Sequence, residues 1–173
     1  ISSTEAFKKA MLAAKPVGHS EAAIKVRVVG GPFVAVGANR FRMRFDALAP
    51  ATGAGRGTFL AYSEGDAEYR YTEQVGMMPK SFSGLNAGKE QTITFPPIGD
   101  LKVDAAHVPL KATSDAGLPV EYYVAHGPAI IENGKLRIVQ VPARATFPIE
   151  VKVVAYQFGH GLEPLVKTAL PVA

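Results

Sequence analysis

The chain has 173 residues, of which 47% are apolar and 20% charged, and its formal net charge is +4. These proportions are typical of globular proteins and exclude long disorder, and no apolar run reaches the roughly 18 residues of a membrane span. We therefore expect no membrane insertion. The lysines and arginines are scattered, which argues against nucleic-acid binding because phosphate tracking needs clustered positive charge. The absence of cysteine excludes disulfides, zinc–thiolate sites and cysteine nucleophiles.

The first residues predict a short helix over residues 2–15. Ser2 and Glu5 have the spacing of a capping box, and apolar residues recur on one face at helical intervals. Pro16 ends the helical pattern. Because the chain begins at Ile1 without a methionine or a leader sequence, we expect either that it was cut from a longer protein or that a leader was removed, and we favour an excised C-terminal piece.

Strand patterns fill the rest of the N-terminal half. Apolar and polar residues alternate, which is typical of strands with one buried face. We expect residues 24–29 and 33–36 to form a hairpin around Gly30-Gly31, and residues 73–89 to form an irregular connection. The predicted strands of this half are residues 24–29, 33–36, 41–45, 58–62 and 68–72.

The C-terminal half predicts seven short strands bounded by Gly, Pro, Asn or Asp, a spacing that is typical of a β-sandwich. Asn133-Gly134 is a strong hairpin signal, because both central residues of a type I′ turn need positive φ. Val151, Val153 and Ala155 are expected to face the core. The predicted strands are residues 91–95, 108–113, 120–125, 129–131, 136–139, 149–157 and 165–171.

Three motifs in this half carry a resemblance to a known family. They are SDAGLPV at residues 114–120, GPA at residues 127–129 and Asn133-Gly134. Together with the closing strand VKVVAYQ, they resemble the bacterial immunoglobulin-like domains of large secreted and surface proteins. The resemblance covers most of residues 91–173. It implies an immunoglobulin-like spacer, stalk or adhesion module without catalytic residues, and an extracellular, cell-surface or periplasmic location.

These patterns predict a mainly all-β chain made of two β-sandwich-like modules. Residues 1–90 are expected to form a β-rich module with the short N-terminal helix, and they resemble no family. Residues 91–173 are expected to form the immunoglobulin-like sandwich. The proline-containing junction at residues 95–97 restricts φ, so we expect the modules to dock rather than swing freely.

Four cations on two amphipathic strands form the candidate binding site. If the two strands share one sheet, the four side chains project from the face opposite the apolar residues and make a flat cationic patch. Arginine pairs with planar anions, so this patch predicts binding to acidic polysaccharide. The alternative is an ordinary solvated sheet face. The four residues are Lys25, Arg27, Arg42 and Arg44.

Other chemistry has less support in the sequence. Tyr62, Tyr69 and Tyr71 offer a platform for sugar rings, but alternation in a strand favours core positions for Tyr69 and Tyr71. The histidines lack metal-ligand spacing, and residues 53–57 lack the lysine and the helix of a phosphate loop. The acidic turn at residues 64–68 lacks the pattern of a calcium loop. We predict no catalytic residue, no metal site and no cofactor.

The function predicted from the sequence is a non-catalytic structural or spacer module pair in a larger exported bacterial protein, with the neighbouring domains as its partners. Two alternatives stay open. One is a carbohydrate-binding accessory module that contacts acidic polysaccharide through the cationic patch. The other is protein–protein adhesion through the loops near residues 118–119 and 158–163. There, Gln157-Phe158-Gly159-His160 replaces the family's usual Gln-Xaa-Gly-Asn, which leaves the loop open to a local function.

Overall fold

A computed structural model of the chain describes residues 20–51, 56–78, 84–105 and 107–173. The predicted helix at residues 2–15 lies outside them. The described residues form β-strands and contain no helix, which confirms the all-β class. The strands are β1 (Lys25–Gly30), β2 (Phe33–Gly37), β3 (Arg40–Met43), β4 (Thr58–Ser63), β5 (Thr72–Met77), β6 (Ile93–Thr94), β7 (Val108–Pro109), β8 (Thr113–Ser114), β9 (Glu121–His126), β10 (Ala129–Glu132), β11 (Lys135–Ile138) and β12 (Lys152–Tyr156).

The N-terminal half contains two sheets. One has the strand order β1-β4-β5, and the other is the hairpin of β2 and β3. The predicted hairpin between residues 24–29 and 33–36 is therefore wrong, because β1 pairs with β4 and β2 pairs with β3. Gly30-Gly31 connects two sheets instead of two paired strands. Strand β5 lies within a segment predicted as irregular, and only its first residue belongs to the predicted strand 68–72.

Aromatic rings join the two N-terminal sheets. The ring of Phe59 on β4 lies 5.1 Å from the ring of Phe33 on β2 and 5.2 Å from the ring of Phe41 on β3, centroid to centroid. Such offset and edge-on contacts are the favoured geometries of aromatic pairs. The hairpin thus covers the face of the β1-β4-β5 sheet that carries Phe59.

The C-terminal half contains the sheets β10-β11-β7, β12-β9 and β6-β8. Ala155 of β12 also exchanges two backbone hydrogen bonds with Val172, at 2.8 and 3.0 Å, so the end of the chain extends the β12-β9 pair. Asn133 and Gly134 join β10 to β11 with φ of 49° and 72°, which confirms the predicted hairpin.

Strand β12 is buried on both faces. Val153 and Ala155 face the core of the C-terminal half, as predicted, in clusters with Leu136 and Ile93. Val154 and Tyr156, which alternate with them along the strand, face the opposite way and pack in a cluster that contains Phe45 from the N-terminal half. The two halves therefore share a hydrophobic cluster, which the one-sided strand pattern did not predict. Its buried members are Phe45, Tyr123, Val154 and Tyr156.

Residues 84–90 lie along the last part of the chain. The Lys89 N–H donates to the Leu165 carbonyl at 2.9 Å, and the Lys167 N–H donates to the Lys89 carbonyl at 2.8 Å. The Leu85 N–H donates to Thr168 Oγ1 at 2.7 Å. The segment that precedes the predicted boundary at residue 90 is thus hydrogen-bonded to the C-terminal half.

Candidate functional site

The four predicted cations do not share one sheet. Lys25 and Arg27 lie on β1 of the β1-β4-β5 sheet, whereas Arg42 lies on β3 of the hairpin and Arg44 follows that strand. The condition on which the flat four-residue patch depended is therefore not met. The amphipathic pattern of each strand was recognised correctly, but the pairing partners of the strands were not encoded in that pattern.

Arg27 and Arg42 also project from opposite sides of the N-terminal half. Residues directly opposite each other in an antiparallel pair share a face. Arg27 is opposite Leu60, and Val28 is opposite Phe59, the ring that contacts the hairpin. Arg27 thus points away from the hairpin. Arg42 points away from the β1-β4-β5 sheet, because its neighbour Phe41 is the residue that contacts Phe59.

Two tyrosines accompany the β1 cations on their face of the sheet. Lys25 Nζ lies 5.9 Å and Arg27 Cζ lies 5.7 Å from the centroid of the Tyr62 ring, which is within cation–π range. The Tyr71 ring lies 6.1 Å from the Tyr62 ring. We call this set the tyrosine face; its members are Lys25, Arg27, Tyr62, Glu64, Tyr71 and Glu73.

Carboxylates balance the cations of the tyrosine face. Lys25 Nζ lies 3.5 Å from Glu64 Oε1 in an exposed ion pair. The Tyr71 hydroxyl donates to Glu73 Oε2 at 2.6 Å, and this hydrogen bond raises the pKa of Tyr71. The face therefore combines an aromatic surface with donors and acceptors of both charges, rather than a purely cationic surface.

The predicted core positions of Tyr69 and Tyr71 are wrong. Tyr69 is 37% exposed and Tyr71 is 45% exposed. Both precede β5 rather than lying within a strand, so strand alternation does not apply to them. Asp66 shapes this turn: its carboxylate accepts hydrogen bonds from Ser20 Oγ and from the N–H of Tyr69, which lower the pKa of Asp66 to about 2.

Arg42 lies at the contact between the two halves. Its guanidinium is 3.4 Å from Glu121 Oε1 on β9. The other oxygen of Glu121, Oε2, accepts a hydrogen bond from the Tyr156 hydroxyl at 2.8 Å. The same hydroxyl accepts a hydrogen bond from the Phe45 N–H at 3.2 Å. Burial, followed by the hydrogen bond to Glu121, raises the pKa of Tyr156 far above its usual range. We call Arg42, Phe45, Glu121, Tyr123 and Tyr156 the junction.

The loop predicted for adhesion is partly engaged at the junction. Phe158 packs against Phe45 with ring centroids 5.9 Å apart. His160 Nδ1 lies 3.2 Å from the Pro164 carbonyl, a contact within the loop. Leu162 is exposed. Phe158 therefore supports the contact between the halves, and the outer part of the loop faces solvent.

A cavity of about 840 Å³ lies at one end of the C-terminal half. Segments 98–103 and 147–151 line it, together with Leu136 and Ile138. Most of the lining is apolar, and every buried side-chain polar atom in the described part of the chain has a hydrogen-bond partner. Within the described part of the chain, the cavity therefore contains no buried side-chain polar atom that is left without a hydrogen-bond partner. Sequence reasoning missed it because it lies mainly between loops. Its charged members are Asp100, Lys102 and Glu150.

Glu132 forms a surface ion pair with Arg137 in the C-terminal half. The Arg137 guanidinium donates hydrogen bonds to both oxygens of the Glu132 carboxylate, each at 2.8 Å. His107 Nε2 lies 3.2 Å from Glu132 Oε2. The hydrogen bond from Arg137, with the one from His107, lowers the pKa of Glu132 to about 2. Glu132 and Arg137 belong to adjacent strands, β10 and β11, so this pair reinforces the hairpin.

The chain matches no protein family, no curated protein and no solved structure. Among the residues that the structure describes, no three His, Cys, Asp or Glu side chains are grouped in a way that could hold a metal ion. No helix in the same part of the chain is long and apolar enough to cross a membrane.

Proposed function

We propose that the chain is a non-catalytic structural spacer, in which two β-modules dock and hold the neighbouring domains of a larger exported bacterial protein at a fixed separation. The observation that carries this proposal is the burial of β12 on both faces. One face belongs to the core of the C-terminal half, and the other packs against Phe45 of the N-terminal half. A strand shared in this way couples the two modules mechanically.

The strand order supports an immunoglobulin-like fold for the C-terminal module. We take β6 as strand A, β7 and β8 as two parts of strand B, β10 as strand D and β11 as strand E. The pairs β6-β8, β7-β11 and β11-β10 then give the order A-B-E-D. With β9 as strand C, β12 as strand F and the segment around Val172 as strand G, the pair β9-β12 and the bridge between Ala155 and Val172 give the order C-F-G. Sheets of A-B-E-D and C-F-G are the arrangement of constant-type immunoglobulin domains. The motifs at residues 114–120 and 127–129 agree with this assignment.

The junction supports a fixed angle between the modules. Burial of an aromatic side chain such as Phe45 contributes about 1.5–3 kcal/mol, and its ring contacts with Tyr156 and Phe158 add directional preference. The Tyr156 hydroxyl satisfies the Phe45 N–H in the same place. Because apolar contact and hydrogen bonding meet at one point, rotation of one module on the other would break both.

Distances between spin labels test the spacer proposal. The chain has no cysteine, so Val36→Cys on β2 and Ile130→Cys on β10 would carry unique labels, and both side chains are exposed. With the labelled protein diluted into an excess of unlabelled protein, so that each measured pair lies within one chain, we expect one narrow distance distribution, and a broader one when Phe45→Ala is added. Phe147→Ala, which truncates an exposed phenylalanine, is the matched control and should leave the distribution narrow. A broad distribution in the double-cysteine protein itself would contradict a fixed spacer.

A second candidate function is binding of acidic polysaccharide through the tyrosine face. The observation that favours it is the placement of Arg27 and Lys25 beside the partly buried ring of Tyr62, which contacts the exposed ring of Tyr71. Aromatic rings stack on the apolar faces of sugars, arginine pairs with carboxylates, and Glu73 can accept hydrogen bonds from hydroxyl groups. This version of the cationic site keeps Lys25 and Arg27 and leaves out Arg42 and Arg44.

A glycan array at low and physiological salt tests this candidate. We expect salt-sensitive binding to carboxylated glycans that Arg27→Ala/Tyr71→Ala abolishes. Arg44→Ala removes an exposed cation that follows β3, outside the β1-β4-β5 sheet, and should leave binding unchanged. Absence of binding at both salt concentrations, or equal loss with Arg44→Ala, would contradict a site on the tyrosine face.

A further inference from the structure

The two edges of the β1-β4-β5 sheet differ in how their backbone groups are satisfied. Strand β4 lies in the middle, so β1 and β5 each have one outward row of N–H and C=O groups. Such rows are templates for pairing with another strand, and proteins usually block them. In this sheet only the β1 edge is blocked within the described part of the chain.

Asn39 blocks the β1 edge. This residue lies in the turn of the β2-β3 hairpin with φ of 52°. Its Oδ1 accepts a hydrogen bond from the Val26 N–H at 2.8 Å, and its Nδ2 donates to the Ile24 carbonyl at 3.1 Å. The side-chain amide thereby takes the place of a neighbouring strand. A positive φ is common for asparagine and rare for most other residues, so this turn suits the blocking role.

The outward groups of β5 follow from the register of the sheet. The Met78 N–H donates to the Gly57 carbonyl at 2.9 Å, so this pair is hydrogen-bonded. Hydrogen-bonded and non-hydrogen-bonded pairs alternate along an antiparallel ladder. Counting from that pair, Met77, Val75 and Glu73 are therefore in non-hydrogen-bonded pairs with β4. The N–H and C=O groups of these three residues point away from β4.

The whole of β5 is open to solvent. All six of its residues are exposed, including Val75 at 52% and Met77 at 64%. Among the described residues, the one hydrogen bond on its outward row comes from the Gln74 side chain, whose Nε2 donates to the Val75 carbonyl at 2.9 Å. This is an exposed local bond that a pairing strand would replace. The strand contains neither proline nor lysine, the residues that commonly protect edges.

We propose that β5 pairs antiparallel with β5 of a second copy of the chain, with the twofold axis at Val75. The two copies form hydrogen bonds only in a register that places outward-pointing residues opposite each other. The register centred on Val75 does this for Glu73, Val75 and Met77. Val75 then lies opposite its own copy and Glu73 lies opposite Met77. The only charge on the strand is thus never opposite a like charge, which would be destabilising. The result is one continuous sheet across two copies.

The blocked β1 edge explains why the partner is β5 and not β1. Pairing of β5 with β1 of the next copy would be heterologous and would extend into a filament. It would also have to displace the two Asn39 hydrogen bonds to Ile24 and Val26. Pairing of β5 with itself uses one surface twice and closes the assembly as a dimer.

Sedimentation equilibrium of the full chain over a wide concentration range tests the proposal. We expect a monomer–dimer equilibrium for the unchanged protein and a monomer for Val75→Pro. The N–H of Val75 points away from β4, so proline there removes an intermolecular donor without removing a bond of the ladder. Val75→Lys should also be monomeric. Val36→Lys makes the same change at an equally exposed valine on β2 and should still form the dimer.

Cysteine crosslinking tests the register. Directly opposite residues have Cβ atoms about 4.5–5.5 Å apart, which is close enough for a disulfide after small adjustment. Val75→Cys should therefore form a dimer under mild oxidation, and Gln74→Cys, whose side chain is on the other face and is not opposite its own copy, should crosslink much more slowly. A monomer at every concentration, or equal crosslinking of the two variants, would overturn the proposal.

Discussion

The ring of Phe45 stands edge-on to the ring of Tyr156, with centroids 5.1 Å apart and planes at 86°. The Phe45 N–H donates to the Tyr156 hydroxyl, and that hydroxyl donates to Glu121. These residues come from distant parts of the chain, and they join its N-terminal and C-terminal halves. The contact is the basis of the proposal that the two halves act as one rigid spacer.

Phe45→Ala should destabilise the protein by about 3–5 kcal/mol, the usual loss for a buried phenylalanine. The side chain is 4% exposed and packs with Tyr156 and Val154, so its removal leaves a cavity at the junction. The free energy of unfolding from urea denaturation measures the loss. Phe147→Ala, at an exposed position, should change that free energy much less. Equal losses in the two variants would contradict the assigned role of Phe45.

Tyr156 should make the protein less stable at alkaline pH. Its folded-state pKa lies well above the usual value of 10.0, because burial and Glu121 favour the neutral phenol. The stabilisation is fully present below pH 10 and is lost as the pH rises above 10, where the unfolded state releases the proton first. Tyr156→Phe should be less stable at neutral pH but lose less stability above pH 10. Urea denaturation at several pH values, with Tyr69→Phe as the control, would reveal the difference.

Gly134→Ala should destabilise the β10-β11 hairpin by about 1–2 kcal/mol, the penalty of a left-handed conformation for an L-residue. The position has φ of 72° and open space around the added Cβ, so strain of the backbone is the only cause. Gly76 also has open space but no positive φ, so Gly76→Ala should be neutral or slightly stabilising. Thermal unfolding of the two variants separates backbone strain from the effect of adding a methyl group. A similar response of both would contradict the turn geometry.

Glu132 should contribute stability that disappears in acid. Its folded-state pKa is lowered from 4.5 to about 2 by the hydrogen bonds from Arg137 and His107. The contribution is present above pH 4.5 and is lost as the pH falls toward 2, because protonation breaks the ion pair. Glu132→Gln should therefore show a smaller loss of stability between pH 4.5 and 2 than the unchanged protein. Glu163→Gln, in an exposed loop, should lose as much stability over this pH range as the unchanged protein does.

Local patterns predicted much of the C-terminal half. Asn133-Gly134 formed the expected hairpin, since turn residues act over a few positions. Val153 and Ala155 faced the core because a period of two determines the face. The second buried face of β12 was not predicted, since Val154 and Tyr156 meet a partner more than a hundred positions away, at Phe45.

Long-range pairing limited the prediction of the candidate site. The alternation around Arg27 and Arg42 correctly gave their exposure, but no local signal indicates that β1 pairs with β4 or that the hairpin covers the Phe59 face. The four cations were therefore expected together, whereas Lys25 and Arg27 lie in one sheet, Arg42 lies in another, and Arg44 follows its strand. Tyr71 was assigned to the core because the strand was placed a few residues too early.

Residual dipolar couplings of the backbone amides test the fixed junction most directly. Each half, fitted separately, yields an alignment tensor that describes its orientation in solution. We predict that the two halves share one tensor and that Phe45→Ala gives them different tensors. Two different tensors in the unchanged protein would mean that the halves reorient independently, and the proposal of a fixed spacer would then be wrong.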